Sequence, residues 1–281
     1  MKTIDLNCDM GEFPEAISDG TQEALLPFFT SVNIACGGHA GDAQTMRTTI
    51  EQAMRFGVAI GAHPGYADRP NFGRLELDLS ADAVAESVCE QVWCLAEIAA
   101  GLGARLAHVK PHGALYNQAV HSQYLTVAIA KGVARWCAAT PKNDRSGGSV
   151  AMKNHNGGGG DTPPKFDVVM VGLAGSPMLD VFREAGFPSA AEAFADRRYE
   201  ANGTLRHRKF EDALIRDPAQ AAAQAVSIAQ RGTVIASNGV EVPVAAQTIC
   251  LHSDTPGSVK IAAAVAHALR ESGVTVSPLE M

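Results

Sequence analysis

The stretch 105–117, Arg-Leu-Ala-His-Val-Lys-Pro-His-Gly-Ala-Leu-Tyr-Asn, sets three basic groups at alternate positions: His108, Lys110 and His112. Leu106 and Val109 give it the apolar character of a strand, and Pro111, with no N–H to donate, ends the ladder. Side chains two apart on a strand share a face, so His108 and Lys110 point the same way and His112 follows just past the end. Two imidazoles and an ammonium gathered there can move protons and hold an anion. A partly buried Lys110 needs a counter-charge or an anionic ligand. A core strand has no need of them.

Similar groups follow the other expected strands. Residues 3–8 end in Asn7-Cys8-Asp9, and Val32–Cys36 runs into Gly37-Gly38-His39. Val58–Ala62 ends at His63, Ala190–Phe194 at Asp196-Arg197, and Thr248–Leu251 at His252-Ser253-Asp254. One such residue would mean little; recurrence after nearly every strand is informative.

Between the strands lie amphipathic helices. Met46, Ile50, Ala53 and Met54 form a stripe behind an Asp42 cap and before Gly57. Ser80 caps a helix carrying Val84, Val88, Val92, Leu95, Ala99 and Leu102 at three-to-four spacing. Further helices are expected over 123–137, from Ser176-Pro177 to Gly186, from Asp217-Pro218 to about Gly232, and after Thr255-Pro256. Asn238-Gly239 marks a hairpin. Strands alternating with helices give a parallel sheet, and no GxGxxG follows the first strand to suggest a dinucleotide fold. Closed into a barrel, such strands bring all their C-terminal ends, and the polar groups on them, to one face.

The chain has 281 residues, 46% hydrophobic and 6% aromatic, with a net charge of −7. This is an ordinary globular composition, and its mild acidity argues against nucleic acid or an anionic membrane as partner. No apolar run reaches the length of a membrane span and no signal-peptide core opens the chain, so a cytoplasmic protein is expected. Cys8, Cys36, Cys89, Cys94, Cys137 and Cys250 include no CxxC pair and read as reduced thiols. The whole chain, 1–281, reads as one α/β barrel domain with a flexible insertion at 142–165, where Gly157–Gly160 lack the Gly-Lys-Ser/Thr ending of a phosphate loop. Asp42 and Ser176 read as helix caps, Asp254 equally as a cap or a site residue, and His121, His155, His207 and His267 as solvated bystanders.

Several of these segments together resemble the lactam-utilisation family, that of the 5-oxoprolinase A subunit. They are Asp5 to Glu12, Asn33 to Asp42, Gly61 to Tyr66, His108 to Asn117, Gly172 to Ser176, Phe194 to Tyr199 and Cys250 to Asp254. The resemblance runs through nearly the whole chain in order, departing at 142–165 and at Phe13-Pro14-Glu15-Ala16. It implies an irregular seven-stranded (β/α) barrel related to the glycoside hydrolase and polysaccharide deacetylase superfamily. It also implies ATP-dependent opening of 5-oxoproline (pyroglutamate) to glutamate, in a complex with 5-oxoprolinase subunits B and C. On that reading Asp9 or His63 activates water, Lys110 pairs with a carboxylate or phosphate, and His108 and His112 orient substrate or stabilise developing charge. Asn7, His39, Asp196, Arg197, His252 and Asp254 would contact the substrate. The more distant deacetylase relationship implies instead a divalent metal on Asp9, His39 and His63. Two rival functions remain: a stand-alone metal-dependent hydrolase of a sugar amide or N-acyl group, and a non-catalytic subunit that presents a ligand.

Overall fold

The computed structural model describes residues 2–140 and 165–280. Its strands are β1 (Thr3–Met10), β2 (Ser31–Ala35), β3 (Ala59–His63), β4 (Leu106–Val109), β5 (Val169–Leu173), β6 (Ser189–Phe194), β7 (Thr233–Ile235), β8 (Glu241–Pro243), β9 (Thr248–Leu251) and β10 (Thr275–Val276). In the order β1-β2-β3-β4-β5-β6-β9, each pairs in parallel with the next, and β9 pairs with β1 to close a seven-stranded barrel. β10 adds to the outer register of β1, while β7 and β8 form the hairpin around Asn238-Gly239. The insertion expected at 142–165 falls outside the described residues apart from Lys165.

The helices are α1 (Pro14–Ser18), α2 (Thr21–Leu25), α3 (Ala43–Phe56), α4 (Ala81–Gly101), α5 (Gly113–Ala119), α6 (Gln123–Ala139), α7 (Met178–Glu184), α8 (Pro218–Arg231) and α9 (Ser258–Glu271). Asp42 caps α3 in a reciprocal box with Thr45, and Gly57 closes it in the left-handed conformation. Ser176 departs from its expected role. The helix begins two residues later at Met178, and the Ser176 hydroxyl donates to the Leu173 carbonyl instead.

The barrel is apolar outside and polar within. Leu6, Cys8 and Met10 of β1 belong to the main apolar core, whereas Asp5, Asn7 and Asp9 alternate with them and take hydrogen bonds from neighbouring strands across the interior. Asp5 accepts from Thr30, Ser31 and Thr248, and Asn7 donates to Glu192 and Thr248. Buried polar groups in such a place are tolerable because they satisfy one another.

Room for the polar filling comes from Gly61 on β3. A Cβ built there would lie 2.1 Å from Nε2 of His108 on the neighbouring strand. Gly61→Ala is therefore expected to destabilise the fold by about 1–3 kcal/mol through overpacking. The check is a lowered urea midpoint; an unchanged midpoint would mean that the His108 ring does not occupy this space.

Candidate active site

At the C-terminal mouth of the barrel, the end of β4 delivers Lys110 between two carboxylates. Its Nζ lies 2.9 Å from Asp9 Oδ1 of β1 and 3.0 Å from Glu192 Oε1 of β6, and it also donates to Cys250 Sγ at 3.1 Å. Lys110 is 3% exposed and Glu192 0% exposed, so this is a desolvated charge triad. Burial alone would strip the proton from Lys110, but Asp9, Cys250 and Glu192 outweigh it and hold the ammonium well above its ordinary range. Burial pushes Asp9 up, yet the charges of His63 and Lys110 prevail and keep it well below the usual carboxylate range. Asn33 braces the arrangement by donating to both Asp9 Oδ1 and Asn7 Oδ1, and its own amide oxygen meets His108 Nε2 at 2.7 Å.

Beside the triad stand three histidines and Glu12. His63 Nδ1 lies 2.8 Å from the Lys110 carbonyl and His112 Nε2 lies 3.0 Å from the Phe72 carbonyl, so each ring donates its N–H to backbone. Phe72 is the one non-glycine residue with positive φ among the described residues, at 55°, and this conformation is part of the loop that presents its carbonyl to His112. The remaining nitrogens, His63 Nε2 and His112 Nδ1, then face each other 3.0 Å apart, as bare lone pairs where both rings are neutral. Asp9 Oδ2 lies 3.3 Å from the first and Glu12 Oε1 3.5 Å from the second. His39 stacks on His112 with ring centroids 3.6 Å apart, places Nε2 3.2 Å from Glu12 Oε1, and leaves Nδ1 buried without a hydrogen-bond partner. Four converging acceptors repel one another unless a proton or a cation sits among them. Burial first, and then repulsion from Asp9 and Asp254, raises Glu12 well above the ordinary carboxyl range. Burial, reinforced by the neighbouring histidines, pushes His39 and His112 well down.

The donor chemistry fits a divalent metal. Ligand atoms of Glu12, His39, His63 and His112 all lie within 4.8 Å of one another, and the backbone carbonyls hold His63 and His112 as outer partners hold metal-binding imidazoles. This set differs from the expected Asp9, His39 and His63: His39 turns to Glu12, while Asp9 groups with Cys250 and His252.

A cavity of about 330 Å³ opens over these groups, with Asp9, Glu12, His63, Lys110 and His112 in its lining. Its wall carries Arg74, Arg197, Arg208 and His252. The irregular segment after β6, tied down by bridges Arg197–Leu214 and Tyr199–Leu205, brings Arg208 there. Asp196 accepts from the backbone N–H of His252 and lies 3.0 Å from its Nδ1, so it fixes this imidazole from behind.

The structure thus gathers Asp9, His63, Lys110 and His112 around one cavity. His39 packs behind His112, and Asn7 and His108 lie deeper in the barrel, where they brace Asn33, Glu192 and Thr248 rather than line the cavity. Asp254 is no helix cap, since Gly257 precedes α9; its carboxylate pairs with Arg74 at 2.7 Å and Arg208 at 3.2 Å. Glu12, Asn33, Glu192, Arg74 and Arg208 join the site without having stood out in the sequence. Two of them do carry a signal there: Glu192 shares strand parity with Phe194, and Glu12 follows Asp9 by three residues. Arg74 and Arg208 come from loops, which strand parity cannot place.

A closed parallel barrel with imidazoles and carboxylates at its strand ends is a (β/α) barrel carrying an enzyme-type site. The profile of the LamB/YcsF family matches residues 4–142 and 164–281, and the chain belongs to that family. It is 45% identical over 276 residues to the 5-oxoprolinase A subunit of Chloroflexus aggregans, and 40% identical over 276 residues to that of Shouchella clausii, with 98% of each chain covered in both cases. Among solved structures it is similar to the lactam utilization protein from Thermus thermophilus, with a TM-score of 0.81, 34% identity, and 99% and 100% of the two chains covered. Among the described residues no helix is long and apolar enough to cross a membrane.

His108 gives a stability test of the buried network. Burial, then the charge of Lys110, lowers its pKa to about 3, so the folded protein keeps it neutral while the unfolded chain protonates it near 6.5. Its contribution is complete above the unfolded value and is lost as pH falls between the two, by about 1.4 kcal/mol per pH unit. The stability advantage of the native chain over His108→Gln, from urea unfolding, should shrink steadily from about pH 6.5 to about pH 4; a constant difference would show that His108 titrates normally.

Proposed function

We propose that this chain is the lactam-opening subunit of an ATP-dependent 5-oxoprolinase, acting with partner subunits to convert 5-oxoproline to glutamate. The observation that carries the reading is the pair Asp9 and Glu12. They sit at one cavity with their ionisation driven in opposite directions, the pattern that assigns a base side and an acid side. The names of the relatives supply the substrate and the word subunit, and the chain carries no phosphate-loop motif of its own.

An unstrained five-membered lactam resists water, and phosphorylation of its amide oxygen by ATP on a partner makes the ring carbon electrophilic. Asp9 and the Nε2 face of His63 take the proton from an attacking water. Lys110, held by its two carboxylates, keeps Asp9 ionised and faces developing negative charge. Glu12, protonated, delivers a proton to the ring nitrogen as the C–N bond breaks, which leaves a side-chain acyl phosphate, and a second water releases inorganic phosphate and glutamate. The facing lone pairs of His63 and His112 favour a second form of the same reading, in which Glu12, His39, His63 and His112 hold a divalent cation. Such an ion supplies a more acidic water and polarises a carbonyl.

Assay of the chain with and without its partner subunits, on 5-oxoproline with and without ATP, tests the function. Turnover should require ATP and partners, and Asp9→Asn and Glu12→Gln should each lower kcat by about 10²–10⁴-fold. ATP-independent turnover by the chain alone, or full activity of both variants, would contradict it. Elemental analysis of the purified chain separates the two forms: stoichiometric ion that disappears in His112→Ala supports the metal form, and its absence supports the proton-sharing one.

A further inference from the structure

The sequence offers Lys110 to the substrate's carboxylate or phosphate, but its ammonium is already enclosed by Asp9 and Glu192. The cavity wall holds a different cation in the opposite situation. Arg197 is 6% exposed, and one of its terminal nitrogens donates to the Arg206 carbonyl at 2.8 Å. Its Nε–H has no hydrogen-bond partner, and the guanidinium forms no ion pair among the described residues. The adjacent carboxylate of Asp196 is committed to His252 and Thr255. Arg208 and Arg74 line the same cavity and share one carboxylate, that of Asp254, between them. Glu76, also in the lining, is exposed at the outer edge.

Arg197, Arg208 and Arg74 thus line one cavity, a single carboxylate, that of Asp254, pairs with two of them, and the most buried of the three has none. Burial, followed by the charge of Arg208 and only partly offset by Asp196, lowers the pKa of Arg197 to about 10, the mark of a desolvated cation. A purely structural role, tying 197 to 206, uses only one end of the guanidinium and leaves its charge without a counter-ion among the described residues. A buried unpaired guanidinium is costly, and an incoming oxyanion relieves that cost with paired, charge-assisted hydrogen bonds.

We propose that Arg197, together with Arg208 and Arg74, forms an oxyanion subsite in the cavity wall that takes the anionic group of the substrate, a carboxylate or a phosphoryl group. Its position beside Glu12, His63 and Lys110 in one cavity lets a small lactam reach the catalytic groups while its anion rests on the arginines. The identity of the substrate rests on the function proposed above; the subsite itself rests on the arginines.

The test is calorimetric titration of the full-length chain with inorganic phosphate, with 5-oxoproline, and with pyrrolidinone, the same ring without its carboxylate. The native chain should bind at least one of the two anions, and Arg197→Gln should weaken that binding about tenfold or more, with no effect on pyrrolidinone. Arg208→Gln, at a less buried position, should repeat the loss and serves where Arg197→Gln folds poorly. Loss confined to 5-oxoproline assigns the subsite to the carboxylate, loss confined to phosphate assigns it to a phosphoryl group, and mutual competition shows one subsite serving both. Failure of the native chain to bind either anion, or native-like binding by both folded variants, would overturn the proposal. Arginine-dependent anion binding without ATP-coupled turnover in the assembled enzyme would sink the function and leave the subsite. Turnover with unchanged KM in both variants would do the reverse.

Discussion

The site depends on one buried ammonium. Lys110 joins the end of β4 to Asp9 of β1 and Glu192 of β6, strands that are far apart in sequence and on different sides of the barrel order. Taking three charges out of water is costly, and their mutual attraction offsets that cost only where the remaining polar atoms are also satisfied. Asn33 meets Asp9, Asn7 meets Glu192 Oε1 and Cys250 accepts from the ammonium itself, while Glu192 Oε2 stays buried without a hydrogen-bond partner. The interaction fixes the relative positions of three strand ends, and with them the residues that follow.

From this follows the division of labour between the acids. Asp9 touches the ammonium and is held well below the usual carboxylate range; Glu12, three residues further on, meets imidazoles that burial pushes down and is itself raised well above that range. The two carboxyls therefore differ because of what surrounds them. His63 mediates between them, its Nε2 near Asp9 Oδ2 on one side and His112 Nδ1 on the other. Backbone carbonyls of Lys110 and Phe72 set both rings, so the strand end and the loop at Phe72 determine which nitrogens face the cavity.

Much of this was legible in the residues. Strand and helix alternation gave a parallel barrel, and the recurrence of polar groups after strands placed Asp9, His63, Lys110 and His112 at one face, where the structure puts them. Spacing could not say which strand-end residues stand in the cavity and which hold others in place. His108 and Lys110 share a face, yet His108 reaches across to Asn33 while Lys110 reaches the mouth. In sequence Lys110 looks like a partner for the ligand, because its counter-charges, Asp9 and Glu192, are 101 and 82 positions away. Asp254, with Thr-Pro just after it, carries the local signature of a helix cap; long-range pairing with Arg74 and Arg208 decides otherwise. Loop arginines carry no periodicity at all, so the cationic wall appears only in three dimensions.

The central claim is that burial and partners drive Asp9 and Glu12 apart, leaving one a carboxylate and the other a carboxylic acid in the same cavity. Carboxyl-carbon NMR of the metal-free chain, assigned with Asp9→Asn and Glu12→Gln, measures this directly. The account predicts an ionised Asp9 and a protonated Glu12 at neutral pH. Two ionised carboxylates that titrate together in the ordinary acid range would contradict it.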